Sequence, residues 1–347
     1  MKLMKTTEAV GQVLCHDITQ IIPGVKKDAV FRKGHIITKE DIPVLLSVGK
    51  DTIYIWENDD TMMHENEAAQ VLYSMCTCGT ASKMHPSSVK EGKIEVIADC
   101  DGLLKVDSEK LKKVNSFGEM MIATRHGNTT VKKDDKLAGT RIIPLVIKKD
   151  KLEAASHICD DGPILDIKPF VIRNAAIITT GNEVYHGRIQ DAFTPVIEKK
   201  IAEFGAQMMF HEVFDDDDKK ITDGCLRAIE AGAEIVFCTG GMSVDPDDKT
   251  PLAIKNTGAR IVSYGSPMLP GAMFLLSYYD AGDRLVPICG LPGCAMYNKR
   301  TIFDIVLPRL MARDMILADE LAGLGEGGLC LNCDVCTFPN CGFGKGF

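Results

Sequence analysis

From residue 175 onward, continuous apolar runs alternate with stretches whose apolar positions recur every three or four residues. The apolar run at 175–180 predicts a strand, and the short apolar-rich stretches at 208–213, 234–239 and 260–264 predict three more. Between them, 191–205 puts Phe193, Val196, Ile197, Ile201 and Phe204 on one side of a helix, and 219–231 predicts a second helix. Two further runs, 273–279 and 284–288, flank Asp280-Ala281-Gly282-Asp283 as a hairpin, and 294–311 predicts a last amphipathic helix. Such alternation implies an α/β fold, a mostly parallel sheet with helices on both faces, with ligands at the carboxyl ends of the strands.

The earlier chain is patterned differently. Between residues 92 and 147, short alternating segments broken by Asp101-Gly102, His126-Gly127-Asn128 and Lys133-Asp134-Asp135 predict a β-rich region. Upstream, Thr38 is placed to cap a short helix with the stripe Ile42, Leu45 and Leu46, ending at Gly49; a strand over 52–56 follows. Residues 65–75 predict a helix within a polar, Met-rich stretch. The expected organisation is an N-terminal subdomain over 1–60, a β-rich scaffold over 61–170, the α/β domain over 171–313 and a Cys-rich tail over 314–347.

Composition narrows the partners. Forty basic and 48 acidic side chains give a formal charge of −8, spread along the chain, which argues against a broad nucleic-acid surface. No apolar run approaches the roughly 20 residues needed to span a bilayer, and the start MKLMKTTEAVG lacks the apolar core of a secretory signal, so a cytoplasmic protein is expected. Of 13 cysteines, several lie inside apolar runs such as IVFC and VPIC, where a reduced thiol behaves as a small hydrophobe.

Candidate chemistry follows the strands. Three loops should converge on one sheet edge: Thr179-Thr180-Gly181-Asn182-Glu183, Phe214-Asp215-Asp216-Asp217-Asp218, and Gly240-Gly241-Met242-Ser243 leading to Asp245 and Asp248. A fourth, Cys289-Gly290-Leu291-Pro292-Gly293-Cys294, is expected to offer N–H groups at a helix N-terminus. Taken singly, the glycine pair reads as a tight turn and the aspartates as solvated charge. Taken together, glycines that admit a phosphate beside carboxylates make sense with Mg2+ between the two.

TTGNE, VFDDDD, TGGMSVDPDDKTP and GLPGCA, in this order, resemble the molybdopterin-binding domain shared by molybdopterin molybdenumtransferases, gephyrin's insertase half and molybdopterin adenylyltransferases. The similarity covers about residues 172–313. EAVGQVLCHDI and FRKGHIITKEDIPVLLSVGKDTIYI look like the N-terminal part of the molybdenumtransferase branch. The resemblance implies catalytic roles for Glu183, Asp216 and Asp248, with Asp216 or Asp248 holding Mg2+. Thr180, Gly181, Gly240, Gly241 and Ser243 would cradle phosphate, and Gly290, Pro292 and Gly293 would line the pterin. It further implies molybdopterin or adenylylated molybdopterin and molybdate as substrates, release of AMP, a homodimer, and a molybdoenzyme or an adenylyltransferase as protein partner.

Two loops depart from the family pattern. Lysines that flank a glycine before the hairpin are replaced in Met268-Leu269-Pro270-Gly271-Ala272-Met273, and Cys294 stands where the family has an amide. After Met311 only a short tail is read, so the C-terminal β-domain typical of the family is not expected here. A non-catalytic carrier or sensor of the cofactor is therefore the alternative to an enzyme. The tail carries Cys330, Cys333, Cys336 and Cys341 as C-x2-C-x2-C-x4-C, a spacing at which four thiolates can surround Zn2+ or, less often, an iron–sulfur cluster. A flexible reduced tail and a partner-docking adaptor are the other readings of that segment.

Overall fold

The computed structural model describes residues 2–22, 26–55, 59–78 and 83–346. The chain divides into two compact units: residues 1–99, 106–125 and 133–166 form the first, and 100–105, 126–132 and 167–347 the second. The units interleave along the chain, and the tail belongs to the second unit.

In the first unit, Lys2–Lys5 pairs antiparallel with Thr52–Ile55 over a small core of Ala9, Leu14, Ile18, Ile37, Leu45, Ile53 and Ile55. Trp56, the expected end of that strand, lies outside the described residues, as does Phe347 at the end of the tail. The helix before that strand runs Asp41–Ser47, but Thr38 does not cap it; Asp41 instead accepts from the Thr38 N–H (2.8 Å) and bonds His35 (2.6 Å). The region is β-rich as expected, with a four-stranded antiparallel sheet of Met84–Pro86, Lys93–Ala98, Lys136–Ile142 and Met120–Thr124. Helix Glu65–Thr77 buries Ala68, Ala69, Leu72, Met75 and Cys76.

The second unit is built on one six-stranded sheet. Its elements are β1 (Asn174–Thr180), α1 (Thr194–Ala202), β2 (Gln207–Phe214), α2 (Asp218–Glu230), β3 (Ile235–Thr239), α3 (Thr250–Asn256), β4 (Arg260–Tyr264), β5 (Leu275–Asp280), β6 (Leu285–Leu291) and α4 (Ile302–Met311). The order is β2-β1-β3-β6-β5-β4; the first four are parallel, and β5 runs against both neighbours. Strand alternation splits the core into two layers. Ile177, Ile235 and Phe237 meet α1 and α4 on one face, while Ala176, Ile178, Val236 and Cys238 meet α2 and α3 on the other.

Two helices are shorter than expected. Residues 191–193 stay outside α1 because Asp191 turns back to accept from the N–H groups of Phe193 (2.8 Å) and Thr194 (3.2 Å), and Pro195 suits the first turn. The stretch expected as helix 294–311 breaks into a 3-10 turn, Gly293–Met296, and α4, which starts on a Thr301–Asp304 capping box. The Gly290–Cys294 loop therefore does not end on an α-helix N-terminus. Among the described residues, no helix is long and apolar enough to cross a membrane.

Candidate functional site at the carboxyl edge of the sheet

Strand order fixes where the candidate residues gather. From β1 the chain crosses to β2 on one side and then returns to β3 on the other, so the loops after β1 and β3 diverge at a switch point. Thr180 ends β1 and Gly181 follows at φ 132°; Thr239 ends β3, and Gly240 and Gly241 follow at φ 83° and 53°. The two loops touch backbone to backbone: a Cβ on Gly240 would sit 2.1 Å from the Thr180 carbonyl oxygen.

Thr250, at the start of α3, locks this contact. Its hydroxyl donates to the Gly240 carbonyl (2.9 Å), which leaves it as acceptor for the Thr180 hydroxyl at 3.1 Å. A Cβ on Gly241 would lie 2.9 Å from the same Thr250 Oγ1. The left-handed conformation of the glycine pair thus serves the approach of two loops. Sequence reasoning did not single out Thr250, although a Thr-Pro pair opening a helix marked it as a terminus.

The acidic side chains come together around Asp216. One of its oxygens accepts from the Asn182 N–H at 3.1 Å, which ties the loop after β2 to the loop after β1. Burial raises the Asp216 pKa above the ordinary carboxylate value; the Asn182 N–H opposes this, and the charges of Glu183, Asp247 and Asp248 raise it further. Glu183 folds back so that its carboxylate lies 3.1 Å from where a Gly181 Cβ would be. Asp248 accepts from the Asp245 N–H (3.1 Å) and, with the Asp248 N–H to Asp245 carbonyl bond (2.9 Å), closes the turn between them. Tyr264, at the end of β4, donates to the Met242 carbonyl at 3.1 Å, and burial followed by the Asp248 charge raises its pKa.

The other aspartates of the run are occupied. Asp217 caps α2 through the N–H groups of Lys219 and Lys220, Asp218 accepts from Asn256 (3.1 Å), and Asp215 pairs with Lys220 at 2.7 Å. The second oxygen of Asp215 is buried without a hydrogen-bond partner. Among the described residues, no three His, Cys, Asp or Glu side chains are gathered closely enough to hold a metal, so Glu183, Asp216 and Asp248 interact through their fields without forming a ligand set.

The remaining candidates separate. Ser243 is exposed, and Gly293 has open space where its Cβ would be. Gly290 and Pro292 are buried; a Cβ on Gly290 would lie 2.5 Å from Met242, so that glycine packs beneath the β3 loop. Where the family has lysines, Met268 is fully buried, Leu269 is 58% exposed, and Gly271 abuts Ile302. Cys330, Cys333, Cys336 and Cys341 are all free thiols and are likewise not brought to ligand distance of one another. A polar cluster that the sequence reading missed lies on the other side of β1: Asp191 accepts from Thr179 (3.0 Å) and Thr194 (2.5 Å), with His211 at 3.6 Å. The Asp-x-x-Thr spacing before a helix was its one local signal.

Comparison with known proteins adds the following. A putative competence-damage inducible protein of Geobacillus is 34% identical over 89 residues, which is 26% of this chain and 20% of that protein. Its counterpart from Bacillus velezensis is 28% identical over 90 residues, so the chain spans about a fifth of the length of these relatives. Among solved structures, the tungsten cofactor synthesizing protein MoaB of Pyrococcus furiosus is 17% identical, covering 41% of this chain and 89% of that one at a TM-score of 0.31. A CinA protein of unknown function from Thermoplasma acidophilum is 20% identical, covering 36% and 92% at 0.29. Residues 3–57 match a family described as a domain of unknown function, not one described as a molybdenumtransferase. Residues 176–312, from β1 through α4, match the family described as a probable molybdopterin binding domain.

Proposed function

We propose that the α/β unit binds molybdopterin in its adenylylated form at the carboxyl edge of the sheet. In this reading it serves molybdenum cofactor biosynthesis, inserting molybdate in a Mg2+-dependent reaction that releases AMP. The observation that carries it is the meeting of an acidic cluster, centred on Asp216, with the glycine-paired loop at the switch point, inside the segment 176–312 that matches a probable molybdopterin binding domain.

Carboxylate oxygens are the donors that Mg2+, a hard cation, takes, and the side chains around Asp216 would have to draw closer to hold it. Asp216 and Asp248 would hold it, and the unpartnered buried oxygen of Asp215 marks a further acceptor on the same loop. Bound there, Mg2+ would neutralise phosphoryl charge that the carboxylates alone repel. The chain's own residues do the positioning. The Asn182 N–H aims Asp216, and the Thr180–Thr250–Gly240 chain of hydrogen bonds holds the two loops at fixed spacing. The same reading has the protein act in the cytoplasm as a homodimer.

A second reading, a carrier or sensor without turnover, is favoured by the apolar residues around Gly271, which give a developing oxyanion no cation. The experiment is to incubate the protein with adenylylated molybdopterin, molybdate and Mg2+ and to follow AMP. Molybdate-dependent AMP release supports the enzyme; retained binding without release selects the carrier; failure to bind sinks both.

A further inference from the structure

The cysteine-bearing loop of residues 330–341 is held at both ends and by little in between. At its start, the Leu269 N–H donates to the Gly328 carbonyl and the Cys330 N–H donates to the Leu269 carbonyl, both at 2.8 Å, so the chain pairs with the loop after β4. At its end, the Gly344 N–H donates to the Gly327 carbonyl (3.0 Å), Phe343 is 5% exposed in the sheet's core, and Phe338 packs against that core. The base of the loop is thereby closed.

Between these clamps, residues 331–337 are all exposed and carry no regular secondary structure. Leu331 and Val335 are each 77% exposed. These two apolar side chains bury nothing here, whereas Cys330, Phe338 and Cys341 at the margins of the loop pack against the core of the sheet. What it does contain is four thiols on C-x2-C-x2-C-x4-C spacing. Two cations stand beside it: Lys299 donates to the Asp334 carbonyl at 3.5 Å, and Arg300, which also pairs with Asp304 at 2.8 Å, lies 4.9 Å from the Phe338 ring. Positive charge at this position offsets the negative charge of thiolates.

We propose that Cys330, Cys333, Cys336 and Cys341 form one tetrathiolate centre for a thiophilic metal, with the clamped base of the loop and the Lys299–Arg300 pair as its built support. Ligation draws the four sulfurs together from their present separation. With Zn2+, each thiol loses its proton and the centre carries a net double negative charge, which the two cations partly compensate. A closed loop base lowers the entropy lost when the ligands converge. The centre is read from metal content and not from turnover, so it stands or falls apart from the pterin reading.

The test uses the full chain purified without oxygen, as wild type and as the double variant Cys333→Ser/Cys336→Ser. Both substituted positions are exposed, and circular dichroism with melting serves as the folding control. About one zinc per chain in the wild type, lost in the variant, is the expected result. Iron with labile sulfide, lost in the same variant, also supports the tetrathiolate and assigns it as a cluster. In metal-stripped wild type, Co2+ should give the intense thiolate charge-transfer bands of a tetrahedral sulfur site, bleached by Zn2+. Equal metal content in wild type and variant, or no bound metal together with no thiolate bands on Co2+ addition, overturns the proposal.

Discussion

At the scale of single residues, the carboxylates at the switch point trade stability for charge. Asp216 has a raised pKa, so its ionised form is disfavoured in the folded protein, and stability is lost as pH rises through that pKa. An amide oxygen can still accept from the Asn182 N–H. Asp216→Asn should therefore raise the melting temperature in the absence of metal, by roughly 0.5 kcal/mol in stability, while abolishing the further rise that Mg2+ gives the wild type. Melting curves with and without Mg2+ decide this; a variant that keeps the full Mg2+ response removes Asp216 from the cation site. Gly240 makes the opposite kind of prediction. A methyl there meets the Thr180 carbonyl at 2.1 Å with φ at +83°, so Gly240→Ala should cost at least about 1–3 kcal/mol and spread the two loops. Wild-type stability in that variant would mean that the loops separate freely.

At the scale of elements, the interior of the sheet was legible in the sequence and its boundaries were less so. β4 was expected at its observed limits, and the other strands of the sheet shift by a few residues at their ends; the central strands β1 and β3 are buried and display their apolarity directly, whereas the edge strands β2 and β4 are only partly covered. Helix starts depend on single hydrogen bonds, which periodicity does not report. Residues 191–193 continue the apolar stripe of α1, yet Asp191 spends its carboxylate on the Phe193 and Thr194 N–H groups and on two threonine hydroxyls, so the helix begins three residues later. Asp191→Ala should accordingly cost about 1–2 kcal/mol, measured as a lower urea midpoint, and Asp191→Asn should recover part of it by restoring a cap acceptor. Equal losses in both variants would point to the carboxylate charge instead of the cap. The final helix fails to extend back to Cys294 for a similar reason: the Thr301–Asp304 capping box, with Asp304 also paired to Lys200 and Arg300, fixes its start at Ile302.

At the scale of the whole molecule, what the sequence could not display is the meeting of charges far apart along the chain. Periodicity and turn signals act over a few residues, whereas Asp314 draws Lys105 (2.8 Å), Lys168 (2.5 Å) and Arg309 (2.6 Å) to one 6% exposed carboxylate within the second unit. Segment 100–105 belongs to that unit although the residues before it belong to the first, which is why a linear division of the chain misses the cluster. Burial alone would raise the Asp314 pKa, but the hydrogen bonds from Lys105 and Lys168 and the Arg309 guanidinium outweigh it and hold the pKa down to about 2. A depressed carboxylate pKa contributes stability that is complete above the ordinary value of 3.8 and disappears as pH falls towards 2. Removing the charge at neutral pH leaves three cations facing one another, one of them largely buried. Asp314→Asn should then cost about 2–3 kcal/mol, a figure lowered from that of a fully buried pair because Lys105 and Lys168 keep part of their hydration. Urea unfolding of both proteins at neutral pH and again near pH 2 checks the sign as well as the size. The gap between them should close in acid, where the wild-type carboxylate is itself becoming neutral; a gap that persists unchanged would locate the loss in packing and not in charge.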